Sequence, residues 1–125
     1  MTKKQWSTIR NFKREEFICK CGCNTENMKY NFMIIIDYIR WKIDSPIKPS
    51  SGCRCKKHNE NEGGSKTSKH LTGIAVDVLC YGSKAYKIAQ EAFAQGLSVG
   101  ISQKGTLSKR FLHLDKRKIP TIWSY

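Results

Sequence analysis

The chain has 125 residues, 39% of them hydrophobic, with 23 Lys plus Arg against 10 Asp plus Glu and a formal net charge of +13. That is the length of one domain with its own core, and no apolar run approaches the ~20 residues of a membrane-spanning helix. The charge draws the protein toward polyanions (nucleic acid, an anionic membrane surface, a wall rich in teichoic acid or carboxylates), although lysines spread along the whole chain also serve solubility alone.

Residues 1–17 read as a lead-in, with Trp6, Ile9, Phe12 and Phe17 as anchors onto the core. The stretch is basic but lacks the apolar run of a signal peptide, so the expected place of synthesis is the cytoplasm. CKCGCN at 19–24 is a tight glycine-containing loop. In MKYNFMIIIDYIRWKI, 28–43, Met28, Phe32, Ile35, Ile36, Ile39 and Ile43 recur in steps of three and four and predict an amphipathic helix. DSP at 44–46 ends it, because a proline disfavours helix at the residue before it.

IKPS, 47–50, is short and extended. Residues 51–69 are almost wholly polar, punctuated by Gly63–Gly64, and predict a long loop of the kind that carries function. GIAVDVL, 73–79, reads as a strand, and SKAYKIAQEAFAQG, 83–96, as a helix with Ser83 as N-cap and Gly96 as stop. LSVGIS, 97–102, and RFLHLDK, 110–116, predict two strands joined by a turn around Gly105, and the aromatic tail IPTIWSY packs back on the body. Helices mixed with sequence-adjacent strands imply one α+β domain over 1–125, an antiparallel sheet with flanking helices.

The chain has three histidines, 58, 70 and 113. Asp77 stands inside the otherwise apolar AVDVL, where a carboxylate is expensive to bury unless paired or bound to a cation. His113 is also mid-strand, with Asp115 on the same face two residues on. A catalytic zinc takes about three protein ligands and keeps a position open to water. His70, Asp77 and His113 supply two imidazoles and a carboxylate, and Gly73 lets the chain double back between the first two. No H-E-x-x-H helix is present.

Of six cysteines, Cys19, Cys21, Cys23, Cys53 and Cys55 fall into two C-x-C clusters. They are candidates for a second, structural zinc site together with His58, for disulfides formed after release, or for free thiols. Cys80 reads as a small buried hydrophobe, and His58 as a hydrogen-bonding loop residue.

SGCRCKKHNENEGGSKTSKHLTGIAVDV resembles the central block of the M15 metallopeptidases, which reads Ser-Gly-x-Arg, His-Asn, Gly-Gly, Ser-x-His, x-x-Gly, x-Ala-x-Asp. GISQ and FLHLDKR are similar to the family's later Gly-Ile-Gly and Phe-Val-His-Val-Asp-x-Arg, and EFICKCGCN resembles the start of small phage-borne members. The likeness runs over roughly 12 to 123 and implies a small DD-peptidase/hedgehog-like α+β fold. It also implies zinc held by His70, Asp77 and His113, Arg54 on a substrate carboxylate or carbonyl, and Ser68 shaping the site. An acid three residues before the last zinc histidine is absent, Arg110 standing there, so Asp115 is expected either as general base or as a partner orienting a ligand.

The implied activity is hydrolysis of peptidoglycan stem peptides by a monomer on the anionic cell wall, reached after release from a phage or prophage host. The alternative is a zinc-containing wall- or protein-binding module that has lost catalysis. Specific nucleic-acid binding is not expected, because aromatic residues are not interleaved with the basic ones.

Overall fold

The computed structural model describes all residues, Met1–Tyr125. The lead-in begins with a short helix, α1 (Lys3–Thr8), closed by a capping box in which the Thr2 side chain accepts from Gln5 N and the Gln5 side chain accepts from Thr2 N. Trp6, Ile9, Phe12 and Phe17 are all buried in the one hydrophobic core, the rings of Phe12 and Phe17 meeting edge-on at 5.4 Å. Helix α2 (Tyr30–Ile43) follows, with Phe32, Met33, Ile36 and Ile39 inward. It stops at Asp44, whose φ of 50° is left-handed, one residue before the position that Pro46 restricts.

A five-stranded sheet of order β1-β2-β4-β3-β5 forms the second layer, from β1 (Lys48–Ser51), β2 (Ala75–Leu79), β3 (Ser98–Ser102), β4 (Phe111–Asp115) and β5 (Ile122–Ser124). Its buried aliphatic side chains include Val76, Val78, Val99, Leu112 and Leu114, in the same core as α2 and α4 (Gly82–Ala94). Between β1 and β2 runs the short helix α3 (Lys56–Asn61), then a 3₁₀ turn over Lys69–Thr72.

Four expectations change. The sheet is mixed: three pairings are antiparallel, but the aromatic tail becomes β5 and lies parallel to β3. The polar stretch 51–69 is not all loop, because α3 sits inside it. Ser83 is the second residue of α4, and the N-cap position belongs to Tyr81. Phe93, expected in the buried stripe of α4, is half exposed.

Candidate metal centre

Strand register assembles the site. Ser51 pairs with Asp77, Asp77 with His113, His113 with Gly100, and Gly100 with Trp123, one transverse row across all five strands. Asp77 and His113 are therefore neighbours because β2 and β4 are antiparallel partners, as cross-strand pairs must be. His70 reaches them from the 3₁₀ turn, which ends at Gly73 with φ 74°. A Cβ at Gly73 would strike the Asn27 carbonyl, so this position requires glycine both for its backbone angle and for space. The Gly73 carbonyl in turn accepts from Lys29 N at 2.9 Å, fixing the turn against the start of α2.

The three ligand atoms converge. His70 Nε2 lies 3.4 Å, and His113 Nδ1 2.9 Å, from the same oxygen, Asp77 Oδ1. All three residues are buried, and their ligand atoms fall within 4.8 Å of one another, a grouping that can hold a metal ion. The far side of each ring is already committed. His70 Nδ1 is 2.7 Å from the Gly52 carbonyl, which can only accept, so that nitrogen carries the proton and Nε2 presents its lone pair inward. His113 Nε2 is 2.7 Å from Asp115 Oδ2, which leaves Nδ1 inward. Rings oriented through their outer nitrogens in this way are the usual support of zinc ligands, and two imidazoles with a carboxylate are a zinc donor set.

Electrostatics agree with a cation-seeking cluster. Burial by itself would push the Asp77 carboxyl up, but the close approach of the His113 and His70 rings outweighs it and holds the group well below the usual carboxylate range. Burial would lower His113, yet Asp115 and Asp77 raise it overall. Asp115, which burial also opposes, is held low by Arg117 and His113.

The metal group opens into a cavity of about 500 Å³ whose walls include Arg54, Ser68, Lys69, Arg117, Trp123 and Tyr125. Arg54 Nη2 is 3.6 Å from Asp77 Oδ2, and its guanidinium donates to Ser51 Oγ at 3.3 Å and to Asn59 Oδ1 at 3.4 Å. Asn59 is buried and packed so closely on Gly64 that a Cβ there would overlap its carboxamide. Gly64 thus leaves room for the side chain that holds the arginine. Ser68 Oγ accepts from His70 N at 3.3 Å, at the start of the turn that carries the ligand.

Asp115 is brought to the cluster but not to the cavity. It is fully buried; Oδ2 meets His113 and Arg117, and Oδ1 accepts from Arg117 N and Nε. His58 faces Glu62 at 3.7 Å and belongs to neither group of candidate metal ligands. Cys53 stands apart from the other clustered cysteines: it is buried in the core outside their group, while half-buried Cys55, two residues on, joins buried Cys19 and exposed Cys21 and Cys23.

Four contributors lie outside the set of residues that the sequence singles out. Glu62 is the one carboxylate on the cavity wall besides Asp77. Arg117 grips Asp115 and lies 4.6 Å from the Trp123 ring centroid, and Trp123 itself stands 5.3 Å from His113. Gly100 makes room for that indole, since a Cβ would come within 2.6 Å of it. The Arg in FLHLDKR and the glycine in LSVGIS are visible signals; the role of Trp123 depends on the parallel strand.

A buried pair of outward-anchored imidazoles with one carboxylate, opening on a cleft lined by Arg54, Lys69 and Arg117, is an arrangement that can hold a metal ion. The Peptidase M15 family model matches residues 10–115, and the chain belongs to that family. No curated protein matches the sequence.

Proposed function

We propose that the chain is a zinc-dependent peptidase that hydrolyses peptide bonds of peptidoglycan stem peptides, on a fold of the DD-peptidase/hedgehog type. The observation that carries this reading is the convergence of His70 Nε2, His113 Nδ1 and Asp77 Oδ1 at the floor of the cavity. Zinc bound there would polarise a scissile carbonyl and lower the pKa of its water from 15.7 to about 7. His70, Asp77 and His113 would hold the ion, and the Gly52 carbonyl and Asp115 orient the two rings for that coordination.

Arg54 orients the substrate by pairing with a stem-peptide carboxylate or with the oxygen that gains charge in the transition state. Replacing Arg54 with alanine is expected to lower kcat/KM by roughly a hundredfold or more while zinc content stays at the wild-type level, as steady-state kinetics and metal analysis will read. Lys69 and Arg117 add positive charge on the same wall, and the net charge of +13 favours retention on an anionic cell wall, reached after release from a phage-infected host.

Asp115 is assigned as a positioning residue instead of the general base, because it is fully buried and both its oxygens are engaged. Asp115→Asn should weaken zinc binding about 10–100-fold and leave most turnover in place when zinc is saturating. Loss of turnover at saturating zinc would return Asp115 to the proton-transfer step.

The same commitment of Asp115, with Arg110 where an acid would stand, favours a second reading, a zinc-containing binding module without turnover. Purified peptidoglycan incubated with zinc-loaded protein separates the two. New amino groups and released peptides identified by mass spectrometry support the peptidase, and binding without release supports the module. If turnover is found, Glu62→Gln tests whether the wall carboxylate accepts the proton.

A further inference from the structure

The sulfur atoms of Cys19, Cys21, Cys23 and Cys55 lie within 4.8 Å of one another, and Cys55 directly follows Arg54, itself two residues after Gly52, whose carbonyl anchors His70. Cys19 and Cys21 are 3.4 Å apart at sulfur, and Cys21 and Cys55 3.6 Å. A tetrahedral zinc with Zn–S bonds of about 2.3 Å places its sulfurs about 3.8 Å apart. We propose that these four thiols form a second metal site, a closed tetrathiolate zinc that is structural and clamps the Arg54 segment to the loop after Phe17.

Several independent features support it. Cysteine is among the most buried residue types, yet Cys21 and Cys23 are exposed and gather with half-buried Cys55 around Cys19 at the edge of the core, while Cys53 and Cys80 are buried apart from them. Burial pushes the Cys80 thiol up to about 11, the state of an inert packing residue. Around the four sulfurs the backbone offers donors that favour thiolate charge: Cys55 N donates to Cys19 Sγ and His58 N to Cys55 Sγ, each at 3.4 Å. Lys20 and Lys56 adjoin the ligands in sequence and counter the double negative charge of a zinc tetrathiolate.

The loop is also shaped for it. Gly22 at φ 91° and Asn24 at φ 59° wind residues 19–25 back on themselves, closed by Cys19 N donating to Thr25 O at 2.8 Å. Residues 18–29 contain no helix or strand, and the side-chain contacts that tie the segment to the body gather at its far end, where Trp6 Nε1 donates to Glu26 and Asn27 Nδ2 donates to Leu71 O. Four mutually close thiols match four ligands around one ion, and all four are free, with sulfur separations of 3.4 and 3.6 Å that suit neighbouring ligands of a tetrahedral ion better than a bond of about 2.05 Å. Thiolates select zinc among the common divalent ions, and a site with four protein ligands leaves no position for water, hence a structural role.

The clamp has a defined target. Between Gly52 and Cys55 the chain gives its Gly52 carbonyl to His70 Nδ1, donates Cys53 N to Phe17 O at 3.0 Å and donates Arg54 N to His70 O at 3.2 Å. Fixing Cys55 therefore fixes the arginine and the outer support of one catalytic ligand together.

The test is metal analysis of the full chain purified under reducing conditions. Two zinc ions per chain are expected in the wild type, and one in a His70→Ala/His113→Ala double variant. After exchange into cobalt, that variant should show thiolate-to-metal charge-transfer absorption in the near ultraviolet, and chelation should lower its melting temperature. A Cys21→Ser/Cys23→Ser variant should lose the band. A histidine variant that holds no metal overturns the proposal without reference to whether the cysteine variant folds. So does intact mass on unreduced protein that shows loss of two hydrogens per bridge and no metal. Because the decisive readout is made with the histidine centre removed, its failure is separate from any failure of the peptidase reading.

Discussion

Replacing His113 with alanine should abolish zinc binding at the sheet site and lower kcat/KM by more than about a thousandfold, since hydrolysis of an unactivated peptide bond depends on the activated water. The residue is central to the arrangement. It pairs across strands with both Asp77 and Gly100, its Nδ1 faces Asp77, its Nε2 is held by Asp115, and Trp123 covers one side of it. Its removal also leaves two buried carboxylates short of a partner, so circular dichroism must accompany the kinetics, with His113→Gln as a variant closer in volume. Wild-type turnover in a folded His113 variant would move the chemistry elsewhere in the molecule.

The second large effect is expected at a residue that touches no ligand. Gly73→Ala should destabilise the fold by about 3 kcal/mol, a fall in Tm on the order of 10 °C for a chain of this size. Two costs add here: the left-handed φ of 74°, and the collision of a new Cβ with the Asn27 carbonyl. The main chain cannot relax freely, because Gly73 O accepts from Lys29 N and the Asn27 side chain donates to Leu71 O at 2.7 Å. His70 and Asp77 lie on either side of this turn, so zinc affinity should fall along with stability. By comparison, Gly105→Ala faces open space and should cost less, isolating the steric part of the Gly73 effect, since Gly105 shares the positive φ at 75°. Equal melting temperatures for the two variants would contradict the packing argument.

Much of the site is legible in the sequence. An aspartate in AVDVL and a histidine in FLHLD are costly in buried strands, and that cost is what points to a shared cation. The steps of three and four in 28–43 and the alternation in the later strands follow from side-chain periodicity, which local sequence expresses directly. The features that escape a sequence reading depend on distant partners or on weak local signals. The tail becomes a strand because β3 offers it an edge, a fact with no local signature. Helix α3 hides in a polar stretch because, of its residues, only Asn59 is buried.

One such feature has a readable cue. Thr2 and Gln5 form the spacing of a capping box, which announces α1. The separation of Cys53 from Cys55 is less accessible, because both positions are cysteine and only the packing against Phe17 and the rest of the core decides which one turns inward. Asp115 shows the limit most clearly. From sequence it could act as base or as support, and the difference lies in which of its oxygens are already bonded.

The most direct test of the zinc centre is a crystal structure of the zinc-loaded protein with anomalous data collected at the zinc edge. A peak is expected about 2.0–2.2 Å from His70 Nε2, His113 Nδ1 and an Asp77 oxygen, open toward the cavity. Absence of a peak there in zinc-saturated crystals, or His70 and His113 turned away from Asp77, would contradict a shared metal ion at this site.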